Sequence, residues 1–220
     1  NMPTVRAGLS TCAVNGKIYA IGGTRWDNVN AKLDVFSTVE EYDPKIDRWT
    51  AKTDMPTKRG FFTSSASVVD GLIYVIGGGD EENKGNMLSL VEQYDPVADK
   101  WERKADMPTA RVTCTAVVNG KIYAIGGYEG KNRAILSTVE EYDPVSDSWT
   151  RKNDMPTART TLSVCAVNGK IYAMGGNTDV QKEILVSIVE EYDPQAESKS
   201  IDFKGKLPTT WGNTKLAQSK

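Results

Sequence analysis

The stretch RVTCTAVVNGKIYAIGGYEGKNRAILSTVEEYDPVSDSWTRKND, residues 111–154, decides the fold. Arg111 to Val118 is a run of β-branched and small residues that ends at Asn119-Gly120. Lys121 to Ile125 is a second β-rich run, stopped by Gly126-Gly127. Asn-Gly between two such runs signals a hairpin, because both central positions of a type I′ turn need positive φ. A polar loop follows, Tyr128 to Ile135, and then a third strand, Ser137 to Tyr142. Asp143-Pro144 opens a turn, since Asp accepts local backbone hydrogen bonds and Pro fixes φ. Trp149 to Lys152 reads as a short fourth strand, and Asp154-Met-Pro-Thr157 leads out of the unit. No segment sustains a 3.6-residue period, so no helix is expected.

The same phrases recur along the chain. Pro3, Pro56, Pro108, Pro156 and Pro208 stand in Met-Pro-Thr or Leu-Pro-Thr, and Pro44, Pro96, Pro144 and Pro194 in Tyr-Asp-Pro, which accounts for all 9 prolines. The double glycines Gly22-Gly23, Gly77-Gly78, Gly126-Gly127 and Gly175-Gly176 are 55, 49 and 49 residues apart. Self-similarity at this period is the signature of a repeat architecture. Four antiparallel strands per unit, four times over, is the pattern of propeller blades. The first strand of each unit is rich in small residues, as at Ser10-Thr11-Cys12-Ala13, which suits convergence on a crowded axis. The Tyr and Trp of the later strands are the natural spacers for the widening wedge between blades.

The double glycine, a Tyr on the third strand and a Trp seven residues later together resemble the kelch repeat. The pairs are Tyr42/Trp49, Tyr94/Trp101 and Tyr142/Trp149. The fuller phrase from Met-Pro-Thr through Asn-Gly-Lys-Ile-Tyr-Ala-Ile-Gly-Gly to Val-Glu-Glu-Tyr-Asp-Pro is similar to the kelch domains of ubiquitin-ligase adaptors and of bacterial kelch proteins. The resemblance implies an all-β, kelch-type β-propeller of four blades of four antiparallel strands, with repeats at about 5–54, 59–106, 110–154 and 158–204 and a tail at 210–220. It also leaves open a segment of a longer array, because Asn1-Met-Pro-Thr4 is already the phrase between repeats. In the fourth repeat Lys199 stands where Trp is expected, so that blade should be the loosest. The four blades are expected to close as a ring, monomeric rather than dimeric, with Trp49, Trp101 and Trp149 mostly buried and the tail Trp211–Leu216 across the seam.

Composition narrows the function classes. Lys+Arg 27 against Asp+Glu 29 gives a net charge of −2, with no basic excess for nucleic acid or an anionic membrane. No apolar run approaches the roughly 18 residues needed to span a bilayer, and no signal peptide is read. Histidine is absent, which excludes His-based relays and imidazole metal sites. Neither a cofactor nor a metal is expected, although Gly79-Asp80-Glu81-Glu82-Asn83 is acidic, because it lacks alternating ligand spacing. Cys12, Cys114 and Cys165 replace Ser or Ala on first strands and read as small buried residues.

Candidate binding residues cluster by repeat position. Arg6, Arg59, Arg111 and Arg159 start the first strand of each blade and would ring one mouth of the axis, where guanidinium groups suit a carboxylate or phosphate. The competing reading ties each Arg to a Glu or a carbonyl of its own or the neighbouring blade. The loops after the double glycines differ in every blade. The first holds Arg25 and Trp26, the third opens on Tyr128, the one tyrosine outside the repeat pattern, and the fourth opens on Asn177. Kelch domains often place a partner-contacting Tyr directly after the double glycine. The Glu pairs, such as Glu140-Glu141, point to opposite faces of a strand and cannot form a catalytic dyad, so one is expected inside the blade and one in solvent.

The leading expectation is a non-catalytic scaffold that binds a protein or peptide, of acidic character, on the face built by the loops before the first strand and after the double glycine. The resemblance keeps two rivals open. One is a kelch enzyme similar to sugar-acid isomerases, using Arg and Glu around the axis. The other is an architectural segment of a larger protein.

Overall fold

A computed structural model describes residues 1–60, 65–80, 87–196 and 211–213, and no α-helix occurs among them. In the first blade the strands are β1 (Ser10–Val14), β2 (Lys17–Ile21), β3 (Thr24–Asp27), β4 (Lys32–Val35), β5 (Val39–Asp43) and β6 (Arg48–Ala51). The second blade holds β7 (Ala66–Val69), β8 (Leu72–Ile76), β9 (Val91–Asp95) and β10 (Lys100–Lys104). The third holds β11 (Val112–Val118), β12 (Lys121–Glu129), β13 (Ala134–Asp143) and β14 (Ser148–Arg151). The fourth holds β15 (Ser163–Val167), β16 (Lys170–Met174), β17 (Asn177–Asp179), β18 (Ile184–Leu185), β19 (Val189–Tyr192) and β20 (Trp211–Asn213).

Each blade is a four-stranded antiparallel sheet in chain order: β1-β2-β5-β6, β7-β8-β9-β10, β11-β12-β13-β14 and β15-β16-β19-β20. The first hairpin turns as the sequence requires, with Asn119 at φ 51° and Gly120 at φ 74°. At the double glycine Gly127 has φ 114°, and a Cβ there would lie 1.9 Å from the Val112 carbonyl oxygen, so no side chain fits. The segments after the double glycines are more regular than the sequence suggested. β3 pairs with β4 and β17 with β18 as small separate hairpins, while in the third blade β12 and β13 run on together to Glu129 and Ala134.

Three apolar clusters join successive blades. Tyr19, Ile21 and Met55 pack on Ile73, Val75 and Tyr94; Tyr74, Ile76 and Met107 on Ile122 and Tyr142; Tyr123, Ile125 and Met155 on Ile171 and Tyr192. Trp49, Trp101 and Trp149 are largely buried, as expected, and the indole N–H of Trp101 and of Trp149 is aimed across a junction. Trp101 donates to the Thr53 carbonyl at 2.9 Å and Trp149 to the Ala105 carbonyl at 3.0 Å, each on the preceding blade.

The end of the chain differs from expectation in two ways. Lys199 lies outside the described residues. The missing aromatic is supplied by Trp211, which pairs with Tyr192 in the register of Tyr142 with Trp149, stacks on it at 5.0 Å, and donates to the Asn153 carbonyl at 3.0 Å. Trp211 therefore belongs to the outer strand of the fourth blade and does not lie across a seam. Nor is the ring closed: among the described residues the apolar clusters join blades one to two, two to three and three to four, and none joins four to one. Among the described residues the four blades form an open arc.

Candidate functional site

The four repeat arginines face inward. Arg59, Arg111 and Arg159 are 0% exposed, and Arg6 is buried. Arg111 donates to the carbonyls of Gly126 (3.0 Å), Thr109 (3.1 Å) and Ala124 (3.1 Å), and pairs with Glu140. Arg6 pairs with Glu40 at 2.8 Å, Arg59 with Glu92 at 2.6 Å and Arg159 with Glu190 at 2.7 Å. The donor fork is thus spent on the strand ends around the double glycine, and the positive rim expected at the mouth of the axis is absent. Burial pulls the Arg59 guanidinium down to about 10, against the opposing pull of Glu92. That value still leaves it charged at neutral pH.

In the first three blades both members of the pair are enclosed, contrary to the expectation that one would be solvated, while in the fourth Glu190 is buried and Glu191 half-buried. Glu140 takes Arg111 and the Thr109 hydroxyl, whereas Glu141 accepts from the Tyr123 hydroxyl at 2.6 Å and pairs with Lys121 at 3.0 Å. In the second and third blades a middle strand has a neighbouring blade over each face, so alternation does not expose either side. The Arg and Glu side chains on which an isomerase reading would draw are therefore one another's partners. The cysteines also separate: Cys114 is buried, Cys12 is half-buried and Cys165 is exposed.

The backbone of these arginines ties each blade to the one before it. Gly23 donates to the Arg59 carbonyl at 3.0 Å, Gly78 to Arg111 at 3.2 Å and Gly127 to Arg159 at 2.8 Å. The hairpins spring from these clamped corners. On the first, Trp26 is 56% exposed, and Arg25 pairs with Asp34 at 2.8 Å with its guanidinium 5.6 Å over the Phe36 ring. On the fourth, Asn177 is buried and shapes the turn by accepting from the Asp179 backbone at 2.8 Å.

Tyr128 is half-buried and lines a cleft of about 660 Å³ between the third and fourth hairpins, together with Arg133, Ile135, Asp179, Val180 and Gln181. On the other side of the same hairpin, Met87, Ala110, Glu129 and Lys131 line a second cleft of about 480 Å³. Sequence reasoning found Tyr128 but missed Arg133, Val180 and Met87. The available signal was an apolar residue inside a polar loop with no strand partner to require it, as at Val29 and Val180, both exposed here. Among the described residues no group of three or more Cys, Asp or Glu could hold a metal ion. Of the acidic loop beginning at Gly79, residues 81–86 lie outside the described residues. No described helix is long and apolar enough to cross a membrane.

Comparison with known proteins agrees with this geometry. The kelch motif matches residues 6–56, 62–108, 113–156 and 158–198. The chain belongs to the kelch-repeat family. Kelch-like protein 25 of Xenopus tropicalis is 32% identical over 136 residues, 60% of this chain and 21% of that protein. Beta-scruin of Limulus polyphemus is 31% identical over 132 residues, 58% of this chain and 14% of that protein. Human kelch repeat and BTB domain-containing protein 12 is 32% identical over 146 residues, 60% of this chain and 23% of that protein. The chain thus spans about a fifth of the length of the curated kelch relatives it matches. The solved structure of YjhT superposes with a TM-score of 0.75 at 18% identity, covering 99% of this chain and 68% of that one.

Proposed function

We propose that this kelch arc is a non-catalytic binding module that receives a protein or peptide on the hairpin face. The observation that carries the reading is the pair of clefts flanking the Tyr128 hairpin, one of them walled by the exposed Val180, with the exposed Trp26 on the hairpin of the first blade. The repeat fixes the scaffold, so choice of partner rests on what differs between blades, and these hairpins differ most. Half-buried aromatic side chains at the edge of a cleft are the residue types that anchor interfaces. An acidic group on the partner is read at Arg133 and Lys131, which border the two clefts, rather than at the buried arginines. Arg25 stiffens the Trp26 hairpin, and Asn177 sets the wall of the larger cleft.

The test is selection of binders from a random peptide library displayed on phage, followed by measurement against variants. Trp26→Ala with Tyr128→Ala should lower affinity at least about tenfold while leaving the melting curve in place. Val97→Lys and Val145→Lys, on the exposed Asp-Pro turns, should leave affinity unchanged. Turn variants that lose binding while hairpin variants keep it would reassign the face.

A further inference from the structure

We propose that the residue closing each hairpin loop is the position that selects the charge of the partner, and that Arg133 makes the cleft between the third and fourth hairpins take a segment with a carboxylate within two residues of an apolar side chain. This rests on the binding face proposed above and assigns its selectivity.

The hairpins of the first, third and fourth blades are a controlled comparison. Each turns through the same length of loop, residues 28–31, 130–133 and 180–183, between the pairs Asp27/Lys32, Glu129/Ala134 and Asp179/Ile184. The last loop residue has one left-handed backbone conformation in all of them, with φ 50° at Ala31, 53° at Arg133 and 53° at Glu183. That conformation suits Gly or Asn and does not call for a long charged side chain. The scaffold therefore accepts a neutral, a positive or a negative group at one fixed point, which leaves the choice free to serve recognition.

Arg133 is also an uncommitted charge. In the first hairpin Arg25 and Lys32 share Asp34 at 2.8 Å and 3.4 Å, and in the fourth Lys182 pairs with Asp179 at 3.4 Å. Arg133 is exposed and, among the described residues, meets no carboxylate. Glu129 of the same hairpin accepts from the Asn132 side chain at 3.0 Å and lines the other cleft with Lys131. Asp179, on the opposite wall of the larger cleft, is taken by its own turn, accepting from the backbone of Gln181 at 3.1 Å and of Lys182 at 3.2 Å. The larger cleft thus presents a free guanidinium, whose planar fork receives a carboxylate through two parallel hydrogen bonds. Beside it stand the cross-strand partners Tyr128 and Ile135, with Ala158 and Val180. Alternate residues of an extended segment share a side, so an apolar group and a carboxylate two positions apart reach both features together.

The experiment selects peptides from a random phage library on the 220-residue chain and, in parallel, on Arg133→Glu. The first pool should be enriched in Asp or Glu within two positions of an aliphatic or aromatic residue, and the second should exchange that acid for Lys or Arg. Peptides from the first pool should bind Arg133→Glu at least about fivefold more weakly. The variant should melt within about 1 °C of the parent, because the side chain is exposed and Glu183 already holds this turn conformation. Lys45→Glu, the same change of charge on an exposed Asp-Pro turn, should leave the pool unaltered. Equal charge bias in the parent and Arg133→Glu pools overturns the proposal. If Trp26→Ala with Tyr128→Ala still weakens binding in that case, the hairpin face stands and only the charge-selecting role of Arg133 falls. Peptides indifferent to all of these variants, or a library that yields no binder, remove the face as well.

Discussion

Trp149 and Trp49 occupy one repeat position, and the arc gives them unequal work. Trp149 stacks on Tyr142 at 5.1 Å and donates to Ala105 across the junction, whereas Trp49 stacks on Tyr42 at 5.1 Å and, among the described residues, meets no such acceptor. Truncation of a fully buried Trp costs about 3–5 kcal/mol, so the largely buried Trp149 should lose about 3 kcal/mol on replacement by alanine. About 1 kcal/mol of that is the hydrogen bond and about 1 kcal/mol the aromatic pair. Trp49→Ala forfeits the stack but neither the bond nor the junction, and should cost about 1.5 kcal/mol. Phenylalanine separates the terms: Trp149→Phe should cost about 1 kcal/mol and Trp49→Phe close to nothing. Urea melts followed by circular dichroism give the comparison, with hydrogen exchange blade by blade because repeat arrays need not unfold in one step. Equal losses at the two positions would show that the indole acts only within its own blade and that the bond across the junction contributes nothing.

Arg111→Met leaves Glu140 buried with, among the described residues, the Thr109 hydroxyl as its donor, and should cost about 3–5 kcal/mol in thermal melts. The double variant Arg111→Met with Glu140→Gln should recover part of that loss, and no recovery would show that the stranded carboxylate is not its cause. Stability should also fall in acid. Burial raises the Glu141 pKa, but the hydrogen bonds from Tyr123 and Lys121 outweigh it and hold the carboxyl below its ordinary value, with Glu41 and Glu191 depressed by similar partners. Groups depressed in the folded state stabilise it above their unfolded pKa, roughly 4.3, and lose that contribution as pH falls through the folded value. Melts from pH 6 to pH 2 should therefore drop mainly below about pH 4, and Glu141→Gln should flatten part of the drop.

The strands and their order were legible because each unit announces them with Asn-Gly, double glycine and Tyr-Asp-Pro. The orientation of the arginines was not. Which way a side chain at the start of a strand turns depends on whether a buried acceptor waits for it, and Glu140 reaches Arg111 only once β11, β12 and β13 are side by side. Trp211 was missed because the spacing rule failed: seven residues separate Tyr142 from Trp149, but nineteen separate Tyr192 from Trp211. Pairing across a long connection is set by the sheet, not by the local pattern. Closure was invisible for a related reason. Four similar units state how each meets its neighbour, and the angle accumulated over the arc decides whether the last meets the first.

The arginines explain why scaffold and binding face cannot be judged separately. Each side chain holds its own blade's double-glycine corner, and each backbone carbonyl after the first holds the corner of the blade before. The hairpin bearing Tyr128 is gripped from both sides, by the Arg111 side chain at Gly126 and by the Arg159 carbonyl at Gly127. The fourth hairpin is gripped by the Arg159 side chain at Gly175, and among the described residues no following arginine meets Gly176. The wall of the larger cleft formed by Asp179, Val180 and Gln181 therefore rests on one clamp where its opposite wall rests on two.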